Sequence, residues 1–259
     1  MVLRLLTFNI ERGGIGREEA IAAVISREHP HIVVLQEATR PEVVARLADA
    51  AGMPYSGAHR GRSLAFLSRV PLKASRWLRP RWSQHAFLEL IPADLDLRVI
   101  GVHLSAVHAA WTEARRVREL RALLEAIARD VPERHIVVGD FNTLAPDERL
   151  DVSRLPARLR LLVWLSGGRI RWQTIAIMLG AGYVDGFRHL QPTEPGFTFP
   201  TWDPHVRLDY AFVPKPLSAA LTACEVLTVV DAAGASDHFP LRIDLSLTLP
   251  AESASTPLD

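Results

Sequence analysis

The chain has 259 residues, 48% apolar and 23% charged, a length that one sandwich domain fills alone and a composition that excludes disordered and fibrous classes. Its one cysteine, Cys224, has nothing to pair with inside the chain, which excludes a disulfide-stapled scaffold and a Cys-rich zinc module. The net charge is +1, no apolar run approaches the ~20 residues of a membrane span, and the start MVLRLLTFNI reads as a strand, not as a signal peptide. A soluble, cytoplasmic protein with no transmembrane segment is expected.

In chain order, a short apolar run predicts a first strand at Leu3–Phe8. A helix follows over Arg17–Arg27, with Ile21, Val24 and Ile25 on one face and a stop at Pro30. A second strand is predicted at Ile32–Leu35, then a helix at Pro41–Ala51, with Pro in its first turn and Gly52 at its end. Strands follow at Ser63–Leu67, Ala86–Ile91 and Leu97–Val102. The strongest helix, Thr112–Arg129, carries Val117, Leu120, Leu124 and Ile127 on one stripe. After a strand at His135–Val138, the stretch Leu155–Leu179 mixes arginines with apolar residues around Gly167-Gly168. It reads as a helical pair beside the site or as a surface element touching lipid. Gly196–Pro204 is expected to be an ordered loop before strands at Leu208–Val213 and Leu241–Leu247. There is no internal repeat. Pro250–Asp259 is expected to be a disordered tail, which leaves residues 1–249 as a single catalytic domain.

Charge is segregated. Ala50–Leu88 has no acid and seven cations, including Arg79 and Arg81, and Val152–Val184 has no acid and five arginines, including Arg169 and Arg171. Such stretches suit a surface that meets an anion, or they are solvated loops in an arginine-rich chain.

Polar residues stand where strands end. Asn9 closes the first (TFN), Glu37 the second (VVLQE) and His103 a third (VIGVHLS), while Asp140 and Asn142 close a fourth in GDFN. Asp209 lies in VRLDYAFV, and Asp237-His238 precedes the last strand. Amides, carboxylates and imidazoles at the ends of buried strands fit a rim better than a core. Asn9, Glu37, Asp140, Asn142 and Asp237 are hard oxygen ligands of the kind Mg²⁺ prefers, with Mn²⁺ a possible substitute. Two imidazoles and a partnered aspartate suit proton handling and an anionic transition state. Gly13-Gly14-x-Gly16 fits neither phosphate-binding glycine fingerprint.

Taken together, Asn9, Gln36-Glu37, His103-Leu104, Gly139–Asn142, Arg207–Tyr210 and Ser236–His238 resemble, in order, the motifs of the endonuclease/exonuclease/phosphatase superfamily. Exonuclease III-type and deoxyribonuclease I-type nucleases, tyrosyl-DNA phosphodiesterases, sphingomyelinases and inositol phosphatases are members. The resemblance implies an α/β four-layer sandwich, two packed and mostly antiparallel sheets flanked by helices. It also implies roles. Glu37 is the principal metal ligand, with Asn9, Asp237 and Glu11 as further ligands. Asp140 orients or deprotonates water, Asn142 fixes it or the phosphate, and His238, oriented by Asp209, faces the phosphate with His103. Whether Asp140 or His238 is the base stays open.

The expected function is Mg²⁺-dependent hydrolysis of nucleic-acid phosphodiesters, DNA or RNA, by attack of water. Arg79, Arg81, Arg169 and Arg171 are expected to bind the substrate, with Trp202 either stacking on a base or sugar or packed in its loop. The alternatives are a phosphodiesterase or phosphatase of small molecules or phospholipid head groups, and a binding module without catalysis. Peripheral lipid contact stays open, and no protein partner is inferred.

Overall fold

The computed structural model describes residues 1–247 apart from 82, 84, 107–108, 132–133, 168–171 and 229–233, so the expected tail at 250–259 lies outside the described residues. The elements run β1 (Val2–Asn9), α1 (Glu18–Glu28), β2 (Ile32–Gln36), α2 (Pro41–Ala50), β3 (Tyr55–Gly57), β4 (Ala65–Ser68), β5 (Leu72–Leu78), β6 (Phe87–Pro92) and β7 (Arg98–His103). They continue with α3 (Ala110–Asp130), β8 (His135–Asp140), α4 (Ala157–Leu165), α5 (Thr174–Gly180), β9 (Tyr183–Asp185), α6 (Gly186–Leu190), β10 (Asp209–Pro214), β11 (Leu221–Val226) and β12 (Leu241–Ser246).

Two six-stranded sheets form, in the orders β11-β12-β1-β2-β4-β3 and β5-β6-β7-β8-β10-β9. Each has one parallel pair at its centre, β1 with β2 and β7 with β8, and antiparallel neighbours on both sides. The parallel pairs exist because a helix crossover, α1 or α3, returns the chain to the same end of the sheet. The expected four-layer sandwich is therefore present.

Alternation along the strands builds three apolar layers. Leu3 and Leu5 of β1, Val34 of β2, Val99 of β7 and Ile136 and Val138 of β8 fill the space between the sheets. Leu6, Phe8, Val33 and Leu35 face the other way, onto Ile21, Val24 and Ile25 of α1 and Val43, Val44 and Leu47 of α2. On the second sheet, Ile100, Val102, Val137 and Phe212 meet Leu120, Leu123 and Ile127 of α3 and Ile175 and Met178 of α5. At about 1.5–3 kcal/mol for each fully buried large side chain, the central strands are the best anchored part of the chain.

The predicted helices and the eight predicted strands are present with ends shifted by a residue or two. Four strands carry no sequence signal: β3, β5, β9 and β11. They are the four sheet edges. Exposure removes the apolar run: β3 is largely solvent-facing, and β5 (LKASRWL) alternates half-buried and exposed residues. The stretch Leu155–Leu179 forms α4 and α5, with the break between them as expected.

Candidate active site

In a parallel pair both strands end at the same edge of the sheet, which is where ligands collect in α/β folds. The two parallel pairs lie against one another across the sandwich. Asn9 is the last residue of β1 and Glu37 follows β2; His103 and Asp140 end β7 and β8 directly opposite each other. Asp209 starts β10 as the antiparallel partner of Asp140. Asp237 and His238 sit in the turn before β12, beside the end of β1, where Ser236 Oγ donates to the Asn9 carbonyl at 2.6 Å. Strand polarity alone thus brings the predicted residues to one place.

Glycine permits two close approaches there, one to the neighbouring strand and one between the sheets. Gly139 has φ 143°, and a Cβ on it would stand 2.0 Å from the Val102 carbonyl oxygen. Gly101 faces Val34 across the sandwich, where a Cβ would meet Val34 Cγ1 at 2.7 Å. Beyond Gly139, Asp140 Oδ1 accepts from the Asn142 amide at 2.8 Å, a turn that holds Asn142 left-handed at φ 52°. Glu11, Arg12 and Glu37 share that region, at φ 47°, 49° and 57°. Such conformations cost about 1–3 kcal/mol each and cluster at functional sites.

The floor of the site is buried. Asn9 Nδ2 donates to Asp140 Oδ2 at 3.0 Å, and Asn142 Nδ2 to the Leu104 carbonyl at 3.1 Å. His238 Nδ1 is 2.8 Å from Asp209 Oδ2, and its Nε2 lies 4.0 Å from Asp140 Oδ2. From the other side, His103 Nε2 stands 3.7 Å from the same Asp140 oxygen, while its Nδ1 bonds Ser63 Oγ. Asp140, Asp209 and His238 bring ligand atoms within 4.8 Å of one another, close enough to share a cation. Burial pushes the Asp140 carboxyl up against the pull of His238. Burial also pulls the His238 imidazole down, but Asp209, Asp140 and Asp237 outweigh it and push it up to about 10. His103 has no carboxylate on Nδ1, and its burial pulls it down.

The mouth is acidic. Glu37 Oε2 accepts from the Arg12 amide at 2.7 Å, and its Oε1 from Asn9 Nδ2 at 3.5 Å. Burial pushes the Asp237 carboxyl up against the pull of His238, and the charges of Glu11 and Glu37 add to the rise. Glu11, Glu37, Asp237 and the Asn9 side chain are oxygen donors, the chemistry a hard divalent cation takes, but their ligand atoms do not close to within 4.8 Å as those of Asp140, Asp209 and His238 do. Glu11 is also tied to Arg17 at 2.7 Å.

Beside His103 and Ser63 opens a cleft of about 360 Å³ lined by Arg62, Arg79, Trp77 and His85. Of the two basic stretches, Arg62 and Arg79 reach this cleft. Arg60 pairs with Glu42, Arg76 with Glu89 and Arg154 with Asp203, while Arg69 caps the α2 carbonyls. Arg81 is exposed, and Arg169 and Arg171 lie outside the described residues. Trp202 is 74% exposed on the Gly196–Pro204 loop; it touches Phe199, whose ring packs on His238 at 4.8 Å.

Several site residues have no motif to announce them. Ser63 links the two sheets, accepting from the Glu37 amide at 3.0 Å while bonding His103. On α3, Glu113, Arg116 and Glu119 form a buried polar stripe. Glu113 Oε1 accepts from the amides of Gln173 and Thr174, each at 2.8 Å, and Arg116 Nη1 donates to the Ser105 carbonyl at 2.6 Å. The three-residue spacing of this stripe is its one trace in the sequence.

No curated protein matches the chain's sequence. Its fold is similar to an AP endonuclease from Archaeoglobus fulgidus, with a TM-score of 0.72, 19% identity and coverage of 95% of this chain and 100% of that one. It is also similar to the 3′-5′ exonuclease NExo from Neisseria meningitidis, with a TM-score of 0.72, 17% identity and coverage of 95% and 100%. A 3′ phosphatase form of NExo from Neisseria bound to a product DNA hairpin aligns with a TM-score of 0.70 at 17% identity, over 94% and 99%. At these identities the likeness is one of fold. A sequence profile of the Endonuclease/Exonuclease/phosphatase family matches residues 6–238, nearly the whole chain, and the chain therefore belongs to that family and is a phosphoester hydrolase.

Proposed function

We propose that the chain is a nuclease, a Mg²⁺-dependent phosphodiesterase that cleaves nucleic acid by attack of water. The observation that carries the reading is the convergence on Asp140 Oδ2 of two imidazole Nε2 atoms, at 3.7 and 4.0 Å. Those gaps are too long for direct hydrogen bonds and too short for an atom in line, so an oxygen that bonds both members of a pair must approach from the side.

Asp140, with its raised proton affinity, accepts the proton of the attacking water; Asn9 and Asn142 fix that carboxylate and the loop behind it. His238 is protonated at neutral pH, so it serves as a donor to the phosphate and not as the base. Asp209 orients it. His103, neutral, contacts the phosphate from the opposite side. Glu37, Asp237, Asn9 and Glu11 would hold the cation, which supplies charge neutralisation at the phosphate oxygens. His238 is a poor ligand, because Asp209 occupies its Nδ1 and its charge repels a metal.

Nucleic acid is favoured by the basic cleft continuous with His103 and by the DNA-directed names of the structural neighbours. One catalytic unit spanning residues 1–249 fits the interior shared by the two sheets. Among the described residues no helix is long and apolar enough to cross a membrane, and a cytoplasmic location fits the single buried Cys224. A second reading, hydrolysis of a lipid head-group phosphoester, is favoured by Leu161, Trp164 and Leu165 of α4, which are 55%, 71% and 58% exposed beside Arg158 and Arg160.

The test is a substrate panel: double- and single-stranded DNA, abasic DNA, RNA, sphingomyelin and an aryl phosphodiester, each with Mg²⁺, Mn²⁺ or chelator. Chelator should abolish turnover without unfolding the protein, since the core does not depend on the ion. Full turnover after exhaustive chelation overturns the metal assignment. Turnover of sphingomyelin with none of nucleic acid moves the substrate to the second reading.

A further inference from the structure

The cleft beside His103 holds a side-chain pair that the proposed chemistry does not use. His85 Nδ1 lies 3.0 Å from Glu119 Oε1, and the Glu119 side chain is 1% exposed. Glu119 is itself fixed, accepting from the Ser105 amide at 3.2 Å and from Ser105 Oγ. The His85 ring stacks on His103, with centroids 6.4 Å apart and planes 18° from parallel. A buried carboxylate on Nδ1 fixes the ring's orientation and leaves Nε2 to the cleft.

Two guanidinium groups share that cleft. Arg79 uses Nε on the Ser83 carbonyl at 3.3 Å, and its two Nη groups make no hydrogen bond among the described residues. The Arg62 guanidinium likewise has no partner among them. By contrast, Arg60, Arg69 and Arg76 of the same acid-free stretch are engaged by carboxylates or carbonyls. Those three cations are engaged, while the two that line the cavity keep Nη donors without a partner among the described residues; Arg79 also lines the pocket beside Arg76 and Arg98. At about 360 Å³ the cavity falls in the size range of small-ligand pockets and suits one nucleotide.

We propose that this cleft is a second phosphate subsite: His85, Arg62 and Arg79 bind the phosphate neighbouring the scissile one, and Glu119 is the positioning residue for His85. The subsite deepens the nuclease reading and rests on it for the natural ligand, but its chemistry, two linked phosphate groups bound together, can be tested without turnover. It sets a preference for substrates with a phosphate on each side of one nucleoside over isolated phosphoesters.

Calorimetry with a deoxynucleoside 3′,5′-bisphosphate and with the two corresponding monophosphates, Mg²⁺ present, reads the subsite directly. Charge-assisted hydrogen bonds to a second phosphate should make the bisphosphate at least ~10-fold tighter than either monophosphate in the wild type. That ratio should fall to within about 2-fold in His85→Ala and in Arg62→Ala/Arg79→Ala, with the tighter monophosphate unchanged. Glu119→Gln should lower the ratio partway, because the ring stays but the hydrogen bond that orients it weakens. His85→Gln serves where His85→Ala does not fold. A ratio near one in the wild type, or a ratio untouched by these variants, overturns the subsite. Cleavage of a short oligonucleotide is measured in parallel. An intact ratio in an enzyme that cuts no oligonucleotide sinks the nuclease reading while leaving the subsite standing.

Discussion

Two imidazoles approach one carboxylate oxygen from opposite sheets, and their surroundings push them apart. His238 has Asp209 on its Nδ1 and is held charged to about pH 10; His103 has the Ser63 hydroxyl there and is pulled down by burial. Desolvation lowers both rings, so it is not what separates them. The partner on Nδ1 is. An anion offsets desolvation of the imidazolium, whereas a neutral hydroxyl cannot. One site thereby obtains a fixed cation and a neutral imidazole from the same residue type, which is how acid and base roles are assigned elsewhere.

The largest effect comes from removing what the two rings share. Asp140→Asn keeps the size of the side chain, and Asn142 and Asn9 still find an oxygen near it, but it cannot take the proton. kcat should fall by ~10³-fold or more, near the upper range for a positioned proton-transfer group. Retention of a tenth of wild-type turnover would remove Asp140 as the base.

Next comes the charged side. Asp209→Asn and His238→Ala should each lower kcat by at least ~100-fold, and the double variant should lose less than the product, because groups acting as a unit are not additive. Multiplicative losses would mean that the 2.8 Å pair does not act as one device.

The neutral side is worth less. Ser63→Ala deletes a neutral hydrogen bond to His103 and one to the Glu37 amide, so kcat should fall by up to ~30-fold, in keeping with about 1 kcal/mol per neutral bond. Ser63→Thr, which retains the hydroxyl, should recover most of the loss. A loss as large as that of Asp209→Asn would make the two imidazoles equivalent and undo the contrast.

That contrast was half legible in the sequence. Asn9, Glu37, His103, Asp140, Asp209 and His238 stand at or beside strand ends, and parallel pairing at the centre of each sheet forces them together. The partner of His238 was carried by the RLDY motif. Ser63 was not, because a serine opening a predicted strand is indistinguishable from a turn residue until β4 is paired with β2. His85 and Glu119 lie 34 positions apart, and only the packing of α3 on the second sheet joins them. Three of the four missed strands, β3, β5 and β11, share one cause, while β9 is mostly buried and only three residues long. Those three are half exposed or more, so the apolar signature that reveals β1 or β8 is absent where only one neighbour is hydrogen-bonded.

The smallest effect is a pH-dependent difference in stability. His238 titrates near 6.5 in an unfolded chain and near 10 in the fold. Its folded value is raised, so the native state binds the proton more tightly, and the stabilisation is fully present below about pH 6.5. It fades as pH rises and is gone above 10. His103 runs the other way: its folded value is lowered, so its contribution is present above about pH 6.5 and lost on acidification. The two slopes lie on either side of about pH 6.5, so the wild-type profile peaks there, and Asp209→Asn removes the alkaline one. In chelator, the wild type should exceed Asp209→Asn in Tm by the largest margin at pH 5.5, by less at 7.5 and by least at 9.5. A margin that stays constant from 5.5 to 9.5 would show that Asp209 does not hold His238 charged. A margin that grows with pH would show that Asp209 favours the neutral ring of His238 and would overturn its assignment as the charged imidazole.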